Sequence, residues 1–341
     1  MRLPSLLSGP IAAISLVCVA HAEPFKIVEV ASVASLPVAQ VAPQTIAFTD
    51  HKNDQLADKS NGLTRFEDWA HTRLVQKQFL GLYPSYDEPT VNAGGGAKPH
   101  KKRLHMYVAE GRFELKRPAA SLDLSRYVTL GFLERFDPAI KHKLITADDV
   151  IPNKTPQLAN HRPDRRWCEG AARSICVQSR YQLEGKLPLG VALVNKLREG
   201  KRKIADYIEF QSELRLVPPT EVDQDGYRKL TGVDGKVAGA LEQNIVQVNQ
   251  VMQFGKFLAI FQQHPSDASK TIVTAFVALG IDTDLFEKKK ELGDVPVLRN
   301  LVPAQVLAGN SSFNTGNSIS AGLPKYSRNR LQAIAEILEK E

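Results

Sequence analysis

Cys168 and Cys176, with seven positions between them, are the pair in this 341-residue chain best spaced for covalent chemistry. Oxidised, they would close a short loop; as thiolates holding a metal, they would need two more ligands close by. His161 is the only histidine near them, and no second Cys-x-x-Cys or His-x-x-x-His run accompanies it. No metal is expected, and the redox compartment decides for a disulfide. Residues 1–22 give that compartment. Arg2 carries the only charge before Glu23, Ile11–Ala20 is apolar, and Ala20-His21-Ala22 places small residues where a signal peptidase reads them. The apolar run is shorter than the roughly 20 residues of a spanning helix. Cys18 follows Val17 rather than a small residue, so lipidation is not expected. The chain is read as exported, periplasmic or secreted, with cleavage after Ala22 leaving Cys168 and Cys176 as an even pair.

Other chemistries find little support. A nucleophile elbow needs Gly-x-Ser-x-Gly on a strand-to-helix turn. The nearest string, Ser318-Ile-Ser-Ala-Gly322, has serine where the first glycine belongs and reads as a Ser/Asn/Gly-rich loop. No His-Glu-x-x-His occurs, and His100 and His105 straddle the entry to a strand, where their side chains would diverge. Neither phosphate-binding glycine pattern follows a strand, so no cofactor is expected. Paired carboxylates leave no local signature. Glu184, Glu209 and Glu213 alternate with apolar residues and read as solvated charges, paired across strands with Arg180 or Arg215.

Two basic clusters remain: Lys98, His100, Lys101, Lys102 and Arg103 after the triple glycine Gly94–Gly96, and Arg162, Arg165 and Arg166 in a later proline-rich stretch. Only Trp167 could stack on a base, so nucleic acid is not an expected partner. For an exported protein the matching anions are phospholipid headgroups, lipopolysaccharide phosphates or acidic polysaccharide. The competing reading is a solvated charge run that binds nothing.

The elements that would carry these residues follow from patterning. The composition is globular, 43% hydrophobic and 24% charged with a formal charge of +7, which excludes disorder, collagen-like repeats and coiled coil for most of the chain. Residues 23–62 form a Val/Ala/Pro-rich leader, read as extended, an edge strand or a tether. Thr64-Arg-Phe-Glu67 is a capping box that opens a helix to about Leu80. Pro84–Arg103 reads as a loop and Pro138–Trp167 as a second irregular stretch, too long for a plain loop and so either functional or partly helical; Leu104–Lys116 and Tyr127–Glu134 read as strands. Ile175–Leu187 and Ile208–Leu216 alternate apolar and polar with period two, predicting long strands with one wet face. Such strands favour an antiparallel sheet, although a helix over Leu189–Leu197 could make them parallel neighbours by crossover. Asn244–Gln262 and Lys270–Leu279 read as strands separated by a turn at His264–Asp267. The chain ends in an amphipathic helix, Ser327–Glu341, with Leu331, Ile334, Ala335 and Leu338 on one face.

The expected fold is α+β: a single domain over residues 63–341, with a curved, mainly antiparallel sheet, flanking helices and the C-terminal amphipathic helix. In element order this resembles the helix-grip folds, which enclose apolar ligands, though no residue motif carries the likeness. The function expected is a non-enzymatic periplasmic binding or carrier protein for an apolar or lipid-like ligand, with the basic loops at the rim. Its membrane contact would be peripheral, since the mature chain has no apolar run long enough to span. Two alternatives stay open: an envelope polysaccharide or lipid hydrolase using paired carboxylates, and an envelope structural or interaction protein without a cavity.

Overall fold

A computed structural model describes residues 24–50, 86–91, 97–102, 104–151, 167–169, 173–182, 207–248, 252–282 and 315–340. The leader's described part supplies two strands, β1 (Lys26–Glu29) and β2 (Thr45–Asp50), which pair in parallel. After the small hairpin of β3 (Tyr86–Val91) and β4 (Ala97–Lys102) come β5 (Leu104–Leu115) and, later, β6 (Ile140–Leu144), β7 (Ser174–Gln182) and β8 (Tyr207–Val217). The last strands are β9 (Val237–Val248), β10 (Met252–Gln263) and β11 (Thr271–Asp282). Among the described residues three α-helices accompany them: α1 (Leu130–Phe136), α2 (Gln224–Thr231) and α3 (Thr315–Lys340).

Nine strands form one sheet in the order β1-β2-β5-β11-β10-β9-β8-β7-β6. All its neighbours except β1 and β2 run antiparallel. The architecture is mixed α+β. The sheet was expected to be curved; among the described residues β1 and β6 are its opposite edges, and it is neither closed nor strongly curled. The two alternating segments pair directly and antiparallel, Ser174↔Arg215 through Gln182↔Tyr207, so the parallel alternative falls.

Period two sorts each strand onto two faces. On one lie Ile46, Phe48, Phe113, Val177, Leu214 and Phe261, all buried in a core that includes Phe132 and Leu133 of α1 and Leu331, Ala335 and Leu338 of α3. The other face was expected to be wet, and it is not. Gln211 is 1% exposed and Glu213 0%, because this face is covered as well. α2 lies over it, with Tyr227 Oη 3.5 Å from Glu242, and Gln262 Nε2 donates to the Val233 carbonyl just after that helix at 3.0 Å. Arg112 donates to the carbonyls of Leu36 (2.8 Å) and Thr231, tying leader and helix to the sheet. Burial pulls its guanidinium pKa down to about 10, partly offset by Glu110, so it remains charged at neutral pH. Glu242 is buried too. Burial would raise its pKa, but Lys256 and Arg215 outweigh that and hold the carboxyl below its usual range.

Several elements differ from their sequence pattern. Tyr127–Glu134 is not a strand: a single 3-10 turn ends at Tyr127, and Thr129 then caps α1 by accepting from Phe132 N at 3.2 Å. Helix places Phe132, Leu133 and Phe136 on one inward side, which a strand would split. The single strand expected over Asn244–Gln262 is two, β9 and β10, paired antiparallel. Asn249 is the only ordinary turn former between them, so the reversal is quiet in sequence. Pro84–Arg103 holds the β3–β4 hairpin rather than only loop, and Pro138–Trp167 contains β6. The C-terminal helix begins at Thr315, not Ser327, and so takes in Ser318–Gly322 and Pro324. The expected turn at His264–Asp267 is present, with Asp267 Oδ1 accepting from Ser269 N at 3.0 Å. No helix of the described residues is long and apolar enough to cross a membrane. The expected helices at Thr64–Leu80 and Leu189–Leu197 lie outside the described residues, as do residues 1–22.

Candidate functional site

The long C-terminal helix lies across the sheet, and the space beneath it is not completely filled. Floor and roof both follow from residue size. At the centre of the sheet Ala259 of β10 faces Ala275 of β11 as a directly paired couple, both 5% exposed. Around them the same face carries Leu214, Leu241 and Phe257, so two methyls sit among larger side chains. The roof is Leu331 and Ile334 of α3 together with Phe132 and Phe136 of α1. Phe132 and Phe136, one helical turn apart, stack with centroids at 5.7 Å and planes 3° apart. A cavity of about 50 Å³ remains between floor and roof.

Its polar lining is sparse: among the described residues Arg330 and Gln243 are the only lining side chains with nitrogen or oxygen, and no carboxylate lines it. Gln243 Nε2 donates to Ser212 Oγ at 3.0 Å. Arg330 is 6% exposed, and its Nη1 donates to Asp137 Oδ2 at 2.6 Å. Asp137 stands at the C-terminal cap of α1, so this ion pair joins the two roof helices. The Arg330 guanidinium carbon lies 3.9 Å from the ring centre of Phe136 and 4.8 Å from that of Phe257. Its Nε is buried and has no hydrogen-bond partner among the described residues.

Next to this pair, His142 of β6 shares a hydrogen bond with Ser179 Oγ on β7, Nδ1 to Oγ 2.8 Å. Burial, then the Arg330 charge, lowers the His142 pKa, with Asp137 and Glu134 acting in the opposite sense. The imidazole is therefore neutral at physiological pH. Tyr326, one turn before Arg330, keeps some surface exposure, yet its apolar surroundings push its phenol pKa up.

The residues singled out from sequence are placed elsewhere. Lys98, His100, Lys101 and Lys102 are on β4, opposite Thr90, Glu88, Asp87 and Tyr86 of β3 in register. Their hairpin forms a sheet of its own, apart from the nine-stranded one. Arg103, Arg162, Arg165 and Arg166 lie outside the described residues. Cys168 and Cys176 form the expected disulfide, with Cα atoms 5.6 Å apart. Glu213 completes a Cys168–Cys176–Glu213 group close enough to ligate a metal. Both sulfurs are spent in the disulfide, however, and Glu213 Oε2 accepts from Cys168 N at 3.1 Å. Ser320 is within α3, not on a strand-to-helix elbow.

Sequence reasoning missed Asp137, His142, Gln243 and Arg330. Only Arg330 left a trace there: it is a cation flanking the apolar stripe of Leu331, Ile334 and Leu338. Asp137 is ion-paired with it from far away in sequence, His142 stands close enough to feel its charge, and Gln243 lines the same cavity.

No protein-family model matches the chain, and no curated protein matches it in sequence. Among solved structures it is similar to the Zhui aromatase/cyclase from Streptomyces sp. R1128, at 12% identity over 69% of this chain and 95% of that one, with a TM-score of 0.34. It is also similar to the human StarD13 lipid transfer and protein localization domain, at 8% identity over 76% and 92% of the two chains, TM-score 0.30. A third is norcoclaurine synthase from Thalictrum flavum in complex with dopamine and hydroxybenzaldehyde, at 9% identity over 61% and 91%, TM-score 0.27.

Proposed function

We propose that this protein binds an apolar or amphipathic small molecule between its C-terminal helix and its sheet, without transforming it. The observation that carries this reading is the gap over Ala259 and Ala275, roofed by apolar side chains from two helices. A protein interior normally closes such a gap, because each void forfeits contacts on every side of it. Here large residues surround two alanines and leave the space open.

The size of the gap sets how a ligand enters. About 50 Å³ is well short of the roughly 300 to 1,000 Å³ of ordinary ligand sites. It admits the end of a chain of a few heavy atoms. No carboxylate among the described residues lines the gap, which weighs against this gap being the site of the hydrolase alternative, since that needs two of them flanking a bound sugar. The interaction-protein alternative needs a continuous apolar surface. The exposed large apolar residues among those described are Val28 at one sheet edge, Leu144 at the other, and Ile151 seven positions after Leu144, so Val28 cannot join the other two in one surface and a pair alone makes only a small one. Export through residues 1–22, and contact of the Lys98–Lys102 strand with an anionic envelope surface, belong to the same proposal.

The test is titration with N-phenyl-1-naphthylamine, an uncharged apolar dye, alongside mass spectrometry of an organic extract of the purified protein. Binding is expected, and Ile334→Ala, which trims the roof, should tighten it by roughly threefold or more. No dye binding to either protein, together with a lipid-free extract, would reject the reading.

A further inference from the structure

Arg330 carries more information about the ligand than the apolar walls do. We infer that the molecule bound in this cavity is uncharged and presents a carbonyl-type oxygen, which accepts a hydrogen bond from Arg330 Nε. This rests on the binding reading above and gives it a ligand class.

Three features of the guanidinium lead there. The first is steric. Phe136 and Phe257 lie over it at 3.9 and 4.8 Å, so an incoming group meets it at its edge, where its N–H bonds point. The second is hydrogen bonding. Nη1 is taken by Asp137 at 2.6 Å, whereas Nε is buried without a partner in a residue that lines the cavity. A charged donor is seldom left unmatched in an interior, because its lost hydration is not replaced. An acceptor arriving there restores the bond without further desolvation of the protein.

The third feature is charge balance, and it excludes an anion. Arg330 and Asp137, 6% and 17% exposed in their side chains, already neutralise each other. The other titratable groups facing them are His142, which is neutral because burial and Arg330 lower its pKa, and Tyr326, whose ring lies 5.4 Å from the guanidinium carbon and whose phenol is uncharged because burial pushes its pKa up. A bound carboxylate would bring a second negative charge to one cation, with its own hydration lost and not repaid. A ketone, ester or amide oxygen supplies the lone pair and no charge. Gln243 in the same lining is likewise polar and uncharged.

Three probes of equal chain length separate the outcomes: hexane, 2-hexanone and hexanoate, each competing with N-phenyl-1-naphthylamine at pH 7.5. The ketone is expected to displace the dye at concentrations roughly tenfold below hexane, since a site with a waiting donor discriminates against ligands lacking the acceptor. Hexanoate should do no better than hexane. In Arg330→Lys, which keeps a cation for Asp137 but has no Nε, the ketone's advantage should shrink to about twofold or less. Should that variant fold poorly, the infrared carbonyl stretch of 2-hexanone bound to the unaltered protein decides. It should lie at lower frequency than in hexane solution, and an unshifted band overturns the inference. Equal competition by ketone and hexane, or hexanoate as the best competitor, also overturns it while leaving apolar binding intact. Failure of all three probes and of the dye would instead remove the binding reading itself.

Discussion

Gly111 of β5 and Leu331 of α3 touch so closely that a methyl added at Gly111 would lie 2.7 Å from Leu331 Cδ1. The same methyl would be 3.2 Å from Ile46 Cγ2 on β2. The missing side chain is what seats the C-terminal helix on the sheet, and the helix is the roof of the cavity. Gly111→Ala should therefore cost about 1 to 2 kcal/mol of stability by overpacking, measured by urea unfolding. In a Leu331→Val background the same change should cost clearly less. An equal loss in both backgrounds would show that the contact is not the cause.

The ion pair between Arg330 and Asp137 links helices nearly two hundred positions apart in sequence. Removing one partner strands the other where water reaches it poorly. Asp137→Ala should lower stability by about 3 kcal/mol, and Arg330→Met by a similar amount. The double variant should lose much less than the sum, because neither charge is then left alone. Additive losses in a double-mutant cycle would refute the coupling.

A pH dependence follows from His142. Its folded pKa is below its unfolded one, so the unfolded chain takes up a proton more readily. Above the unfolded value of about 6.5 both states are neutral and the group contributes nothing to the pH slope. As the pH falls from there toward the folded pKa, stability should decline. Melting temperatures at pH 7.5 and 5.5 should show that decline, and it should be smaller in His142→Gln. An unchanged difference would assign the slope to other groups.

The disulfide closes a short loop, Cys168 to Cys176. On the chain-entropy account it contributes about 2 to 3 kcal/mol. Reduction, or replacement of both cysteines by serine, should lower the urea midpoint accordingly while the dye still binds, since neither sulfur lines the cavity. Loss of dye binding with the fold intact would place the bridge closer to the site than the structure does.

What could be read along the chain was whatever depends on near neighbours. Alternation at Ile175–Leu187 and Ile208–Leu216 indicated strands, and β7 and β8 are strands, because period two is a property of one segment. The stripe of Leu331, Ile334, Ala335 and Leu338 gave the amphipathic character of the last helix, but not its start. Gly322 and Pro324 inside it are residues that break helices in isolation. The polar side of β8 misled for a different reason. Gln211 and Glu213 follow the pattern of a solvated face, yet they are buried, and the polar groups are matched by backbone of Asp149, Ile151 and Cys168.

The site was less legible still. The basic residues Lys98 to Lys102 drew notice because they are adjacent in sequence, and the structure puts them on a separate hairpin. Ala259 and Ala275, which make the gap, are ordinary alanines until strand register sets them face to face. By itself the sequence determined the strand and helix character of its most regular segments and the cysteine pair free to oxidise, because these depend on side-chain size, polarity and spacing along one stretch of backbone. Tertiary structure alone decided that a cavity exists and that Arg330 borders it with one donor unmatched. Empty volume and an unmet hydrogen bond are properties of surfaces brought together from distant parts of the chain.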